Sequence, residues 1–257
     1  MSEIRFLPSY VGSKQYWVSR LQDILDGRPI VELFAGSAVL SANFATRCIL
    51  VDTDPMVTRI LENFDKQIVP EVFTQEDYFA VRASKEWWRY AYCLQKMSFS
   101  GVFRYSKNGY NVPVKKNIQQ ISVRADYDRA LKRWIELSPF VLNTSYTNVS
   151  YELINLLGDD VVVVLDPPYE DSQAHYNRDG FNYTEYWSKV KSLRESFDVL
   201  AFDRESNIIR QGFEVSDTRK MRVNGAREGD SEAFVFFCKS GLTSVMSGTS
   251  VEMHTSY

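Results

Sequence analysis

The chain's 257 residues, 44% hydrophobic and 25% charged, supply enough apolar content for a sizeable core and suit one medium domain or a core domain with an insertion. No apolar run approaches the roughly 20 residues that cross a bilayer, and the start, Met1-Ser2-Glu3-Ile4-Arg5, has no signal-peptide pattern. Three widely spaced cysteines (Cys48, Cys93, Cys238) and only two histidines argue for buried thiols in a reducing compartment, against both a disulfide framework and a zinc motif. The expectation is a protein of the cytoplasm (a host cell's, if phage-encoded) with no membrane partner and no metal.

In chain order, Pro29 to Phe34 reads as a strand, Ala35-Gly36-Ser37 as a small-residue turn, and Ala38 to Phe44 as the opening of a helix. A second strand, Cys48 to Val51, ends at Asp52-Thr53-Asp54-Pro55, which makes a βαβ beginning of the doubly wound kind. An acid roughly 20 residues after the first strand begins is placed to hydrogen-bond ribose hydroxyls; Asp52 or Asp54 can equally serve as a helix N-cap. The turn before the helix allows close backbone approach by a ligand and leaves N–H groups open to it.

From about Met56 to Leu137 the pattern is mostly helical, with helices expected over Glu76 to Met97 and Ala125 to Leu137 and a loop over Ser98 to Pro113. The net charge of −3 hides an asymmetry in this stretch. From Arg82 to Arg133, twelve Lys/Arg against three acids give +9 and leave −12 for the rest. Nine aromatics, Trp87 and Tyr105 among them, share the window. Basic and aromatic residues together suit a surface that grips phosphates and stacks on bases. For Trp87 and Tyr90 a local core is the favoured role.

Strand signals resume at Val161 to Leu165, Val199 to Phe202, Phe213 to Val215 and Phe234 to Phe237, and 240–257 reads as a flexible tail. The valine-rich strand ends in Asp166-Pro167-Pro168-Tyr169. Carboxyl ends of strands are where open α/β sheets bind ligands. Prolines fix φ and remove donors, so a carboxylate and two carbonyls can aim at one donor-rich group, such as a nucleobase amino group, with Tyr169 against the ring. An ordinary strand-to-turn exit is the alternative.

Taken together, these motifs resemble the Dam-like DNA adenine-N6 methyltransferases, over about residues 4 to 239. Tyr10-Val11-Gly12-Ser13-Lys14 looks like that family's amino-terminal motif, and Glu32-Leu33-Phe34-Ala35-Gly36 like its cofactor strand and turn. Arg104-Tyr105 followed by Gly109-Tyr110-Asn111-Val112-Pro113 is similar to its recognition segment, and Asp166 to Tyr169 matches its catalytic motif unchanged. The departures are Ser13 and Ala38 for glycines, Val114-Lys115 where Phe-Gly is common, Phe202-Asp203 where Ser-Asn is common, and Lys96 to Gly101 where an Asn/Tyr-rich segment intercalates.

The resemblance implies a Rossmann-like α/β sheet with helices on both faces, formed by 1–55 and 145–239 and interrupted by a mostly helical recognition subdomain over 56–144. It implies S-adenosylmethionine (AdoMet) as methyl donor, with Tyr10, Lys14, Glu32, Phe34, Gly36, Asp52 and Asp166 at the cofactor. Asp166, Pro167 and Tyr169 are the expected catalytic residues. Arg104, Tyr105, Asn111, Pro113 and Arg222 are expected on double-stranded DNA, bound by a monomer or weak dimer at GATC or a related short site. The expected chemistry is methylation of the N6 amino group of a flipped adenine, with cytosine-N4 or RNA adenine methylation, or a silent DNA-binding scaffold, as alternatives. The absence of an endonuclease motif makes an orphan methyltransferase the simpler expectation.

Overall fold

The computed structural model describes residues 3–99, 103–169, 181–220 and 231–239. These form two compact units, the first ending at Asp166 and the second beginning at Pro167. The first carries β1 (Ile30–Glu32), β2 (Cys48–Asp52), β3 (Phe73–Thr74), β4 (Tyr105–Ser106), β5 (Gly109–Tyr110), β6 (Gln120–Ile121), β7 (Phe140–Asn143) and β8 (Val162–Leu165); the second carries β9 (Asp198–Arg204), β10 (Asp217–Lys220) and β11 (Ser231–Phe237).

In the first unit β1 lies between β8 and β2, and β7 lies on the far side of β2; all three pairings are parallel. Val162 to Leu165, Ile30, Val31 and Ile49 to Val51 are all buried. Such near-continuous apolar runs are what strands covered on both faces require. The protein has a Rossmann-like α/β fold. Three carboxyl ends, those of β8, β1 and β2, therefore lie side by side, and they deliver Asp166, the Leu33–Ser37 turn and Asp52 to one edge of the sheet.

Several elements differ from the sequence expectation. The helix expected over Glu76 to Met97 is interrupted: Gln75–Arg82 and Ala91–Met97 are α-helices, with a turn and the 3-10 helix Trp87–Tyr90 between them. The Glu86 N–H, which a continuing helix would give to the Arg82 carbonyl, bonds the Ser84 hydroxyl at 3.0 Å instead, and the break lies against the hairpin β4–β5. Its Gly109, at φ +107°, sits so close that a Cβ there would lie 2.1 Å from the Arg82 carbonyl oxygen. Gly109→Ala is expected to cost at least about 2 kcal/mol, because it combines a disallowed φ with a backbone clash; a chemical-denaturation midpoint checks this.

The strand β7 was not foreseen. It is short, half exposed and follows Ser138, whose left-handed φ of 42° ends the helix Arg124–Leu137, so its apolar pattern is too brief to read. It lies within the 56–144 stretch and pairs with β2.

In the second unit β11 pairs antiparallel with both β9 and β10. Phe213 to Val215 is not a strand. Gly212 turns the chain at φ +81°, and Phe213 packs its ring on Phe237 and Trp187, at centroid distances of 4.9 and 5.7 Å. The ladder begins instead at Asp217.

Candidate active site

Leaving β1, the backbone turns at Gly36, whose φ of +46° carries a left-handed conformation at no side-chain cost. A Cβ there would come within 2.9 Å of a Tyr10 ring carbon, so the turn is seated against Tyr10. Ala38 is also left-handed, at φ 50°, with its N–H bonded to the Ala35 carbonyl at 2.6 Å. Alanine thus carries a strained conformation that glycine adopts freely. The Ser37 hydroxyl donates to the Ser13 hydroxyl at 3.1 Å, a second link between turn and amino-terminal segment.

Asp52 joins the ends of the two strands. Its carboxylate accepts the Gly36 N–H at 2.9 Å through one oxygen and the Asp54 N–H at 2.9 Å through the other. Asp54, not Asp52, caps the following helix Pro55–Glu62, accepting from the N–H groups of Met56 and Val57. Burial pushes the Asp52 carboxyl up to about 6, against the lowering by its backbone donors.

Glu32 is 6% exposed and accepts the Ser41 N–H at 2.8 Å. This caps the helix Val39–Phe44, whose N-cap residue, Ala38, has no side chain to do so. Burial raises its carboxyl to about 7, with Asp166 adding to the rise and the Ser41 bonds and Lys14 opposing it. For both acids the folded chain holds its proton to higher pH than the unfolded chain does. The stability these two groups contribute is therefore fully present below their unfolded values and is lost as pH rises through about 6 to 7. The thermal midpoint is expected to fall from pH 5 to pH 8. Glu32→Gln should flatten that slope, removing about 3 kcal/mol of pH-dependent stability over the window. Unfolding scans at fixed ionic strength test this, and an unchanged slope in the variant refutes it.

Lys14 lies in the 3-10 helix Lys14–Trp17 with its side chain 5% exposed. Its ammonium bonds the Gly12 carbonyl at 2.9 Å and pairs with the Asp166 carboxylate at 2.5 Å. It is not an exposed helix-start lysine; it meets the acid at the end of β8. Phe34 stacks near Tyr146, at a centroid distance of 4.9 Å, a neighbour no motif signalled.

The hairpin β4–β5 rests on an aromatic cluster. Trp87, 3% exposed, has ring centroids 6.0, 5.6 and 5.1 Å from those of Phe103, Tyr105 and Tyr110. Tyr105 donates its hydroxyl to Asp54 at 2.6 Å, and Phe103 is 6.0 Å from Tyr10. The hairpin is thus tied to both strands' exits. Arg104 is exposed and donates from Nε to the Asn111 carbonyl at 2.9 Å, while the Asn111 N–H returns to the Arg104 carbonyl at 2.8 Å. These two bonds extend the hairpin ladder and set Arg104 and Asn111 opposite each other. The Pro113 carbonyl accepts the Phe99 N–H, and Val112 accepts the Tyr78 hydroxyl, at 2.8 and 2.7 Å.

Within the second unit, Tyr169 donates to Glu232 at 2.8 Å, and the Pro168 carbonyl accepts the Tyr183 hydroxyl at 2.6 Å. Glu232, 7% exposed, lies 3.7 Å from Arg219. Sequence reasoning missed Glu232 and Tyr183, because partners far apart in the chain leave no local spacing to read. Arg222 and the 240–257 tail lie outside the described residues, as does most of the segment after Tyr169. Among the described residues, no helix is long and apolar enough to cross a membrane, and no three His, Cys, Asp or Glu are grouped to hold a metal ion.

A Rossmann-like sheet that gathers an acid, a glycine turn and a second acid at its strand ends defines the protein as an α/β enzyme of the methyltransferase class. Residues 10–219 match the model of the D12 class N6 adenine-specific DNA methyltransferases, and the chain belongs to that family. It is an adenine-specific DNA methyltransferase, and DNA is its substrate. No curated protein matches the sequence. Among solved structures, it is similar to the Escherichia coli protein yhhF, whose assignment as a methyltransferase is itself provisional, at 9% identity and a TM-score of 0.37 over 90% of this chain and 88% of that one.

Proposed function

We propose that the enzyme transfers a methyl group from AdoMet to the N6 amino group of an adenine flipped out of double-stranded DNA, at a short site such as GATC or a relative. The observation that carries this reading is the side-by-side placement of Asp166, the Gly36 turn and Asp52 at the ends of β8, β1 and β2. The residues fit the donor. Asp52 suits the ribose hydroxyls, and the Gly36 turn admits close approach by the adenosine. Tyr10, Glu32, Phe34 and Lys14 complete its surroundings, with Asp166 at the methyl end. When bound, AdoMet supplies an electrophilic sulfonium methyl.

The rest of the chemistry belongs to the chain. The N6 lone pair of adenine is delocalised into the ring and is a poor nucleophile. Asp166 and the Pro167 carbonyl accept the two N6 hydrogens, favouring the pyramidal nitrogen that can react. Lys14 holds the Asp166 carboxylate in one orientation through its own bond to Gly12. Tyr169 stacks on the flipped ring. Flipping costs a few kcal/mol, which contacts from the basic 56–144 stretch offset; there Arg104 reads a guanine through O6 and N7, with Tyr105, Asn111 and Pro113 shaping the hairpin. Arg222 contacts a phosphate. The catalytic part is built from 1–55 and 145–239.

Transfer of labelled methyl from AdoMet to unmodified DNA, followed by nucleoside analysis, is the test. N6-methyladenine is expected. N4-methylcytosine, or label only in RNA, overturns the reading, and label in no substrate points to a silent scaffold. Single-base sequencing of the methylated product then yields the recognition site.

A further inference from the structure

The amino-terminal segment and Lys115, two residues beyond Pro113, line an open cleft of about 320 Å³, with Arg5, Pro8, Ser9, Ser13 and Gln15 among its walls. The volume is at the low end of small-ligand sites and suits one sugar-phosphate unit rather than a run of them. Beside Leu7, Pro8 and Tyr10, its lining offers anion donors: a guanidinium, an ammonium, two hydroxyls and an amide. Tyr10 also lines the cavity and seats the Gly36 turn, so the cavity adjoins the cofactor end of β1.

Lys115 is held for this purpose. Its N–H bonds the Met97 carbonyl at 2.8 Å and its ammonium bonds the Lys96 carbonyl at 2.7 Å, which fixes the charge at the cavity wall. Burial and the neighbouring Lys96 charge both push its pKa down. Glu3 pairs with Arg5 at 3.4 Å. Two cations, Arg5 and Lys115, line the one cavity, and the Lys96 charge acts on Lys115 beside it. A bound anion relieves that repulsion.

We infer that this cavity takes a backbone phosphate of the DNA substrate, gripped between Arg5 and Lys115 and steadied by the Ser9 and Ser13 hydroxyls. The inference rests on DNA being gripped by the first unit, as the proposed function holds. It adds a contact outside the basic hairpin, on the amino-terminal strap that seats the cofactor turn. A phosphate contact carries no sequence information; it sets register and orientation.

The experiment is a salt titration of binding to a short, unmodified mixed-sequence duplex. Lys115→Gln and Arg5→Gln are each expected to flatten the slope of log K against log salt by up to about 0.9, the contribution of one neutralised phosphate. The double variant should lose about one unit and no more, because both cations meet the same phosphate. Lys115→Arg should keep the wild-type slope, and AdoMet affinity should be unchanged throughout. Wild-type slopes in both single variants overturn the inference. So does a loss of AdoMet affinity at constant slope, which would assign the cavity to the cofactor. If the slopes fall as expected but no methyl reaches DNA, the phosphate grip stands and the proposed transfer fails.

Discussion

Asp166→Asn is expected to lower the turnover number for methyl transfer by about 10²–10³ or more, while AdoMet and DNA binding largely survive. Asn keeps the size and one acceptor oxygen but loses the charge that, in the proposed mechanism, aligns the N6 hydrogens, and removal of a single preorganised group of this kind costs that much in other active sites. The loss should fall on kcat rather than KM, because the contact strengthens as the nitrogen becomes pyramidal. A stability effect accompanies it. Lys14 is 5% exposed and has the Asp166 carboxylate at 2.5 Å, so the variant leaves a buried ammonium with a neutral partner. Removing one member of a buried pair costs roughly 3–5 kcal/mol; Asp166 is 21% exposed, so the loss belongs below that range. Single-turnover kinetics, calorimetric AdoMet binding and a thermal midpoint separate the effects. Wild-type turnover in the variant rejects the mechanism.

Trp87→Ala is expected to destabilise the hairpin β4–β5, to which the proposed function gives recognition, by about 3–5 kcal/mol, the usual cost of deleting a buried large aromatic. Trp87 is 3% exposed and meets Phe103, Tyr105 and Tyr110 at once, so its removal leaves a cavity beneath the only two paired strands of the hairpin. An isolated two-stranded hairpin is marginal in water. Sequence-specific DNA binding should fall at least tenfold, while AdoMet affinity, which the proposed function assigns to Gly36 and Asp52, should change little. Filter binding to the methylated site against a scrambled duplex, beside AdoMet calorimetry, tests this. Intact discrimination with the hairpin folded would show that Trp87 does not support recognition.

The strands β1 and β2 were legible because each is a short apolar run ended by a polar turn, at Ala35 to Ser37 and at Asp52. The same holds for β8, whose valines admit little but a buried strand. The packing role of Trp87 was also legible, since an aromatic in a helical stretch meets a local core more often than a base. By contrast, the break after Arg82 was not, because its only local sign is the Ser84 hydroxyl that takes the Glu86 N–H. The other partner at the break, Gly109 against the Arg82 carbonyl, lies 27 positions further on. The role of Asp54 was half legible: Asp-Pro suggested a cap, but the Tyr105 hydroxyl that it also accepts lies 51 positions away.

By itself, the sequence determined the α/β class, the order of cofactor turn, recognition stretch and Asp-Pro-Pro-Tyr, and the family those motifs resemble. Periodicity, turn chemistry and motif order are local properties, so they survive in one dimension. Only the tertiary structure decided which charges meet: that Lys14 pairs with Asp166, that Glu32 caps a helix through Ser41, that Tyr105 binds Asp54, and that Arg5 and Lys115 line one cavity. Each of these joins residues brought together by the parallel register of the sheet or by the return of the hairpin. Pairing across such distances is set by the fold's closure and packing, for which no spacing in the chain is a signal.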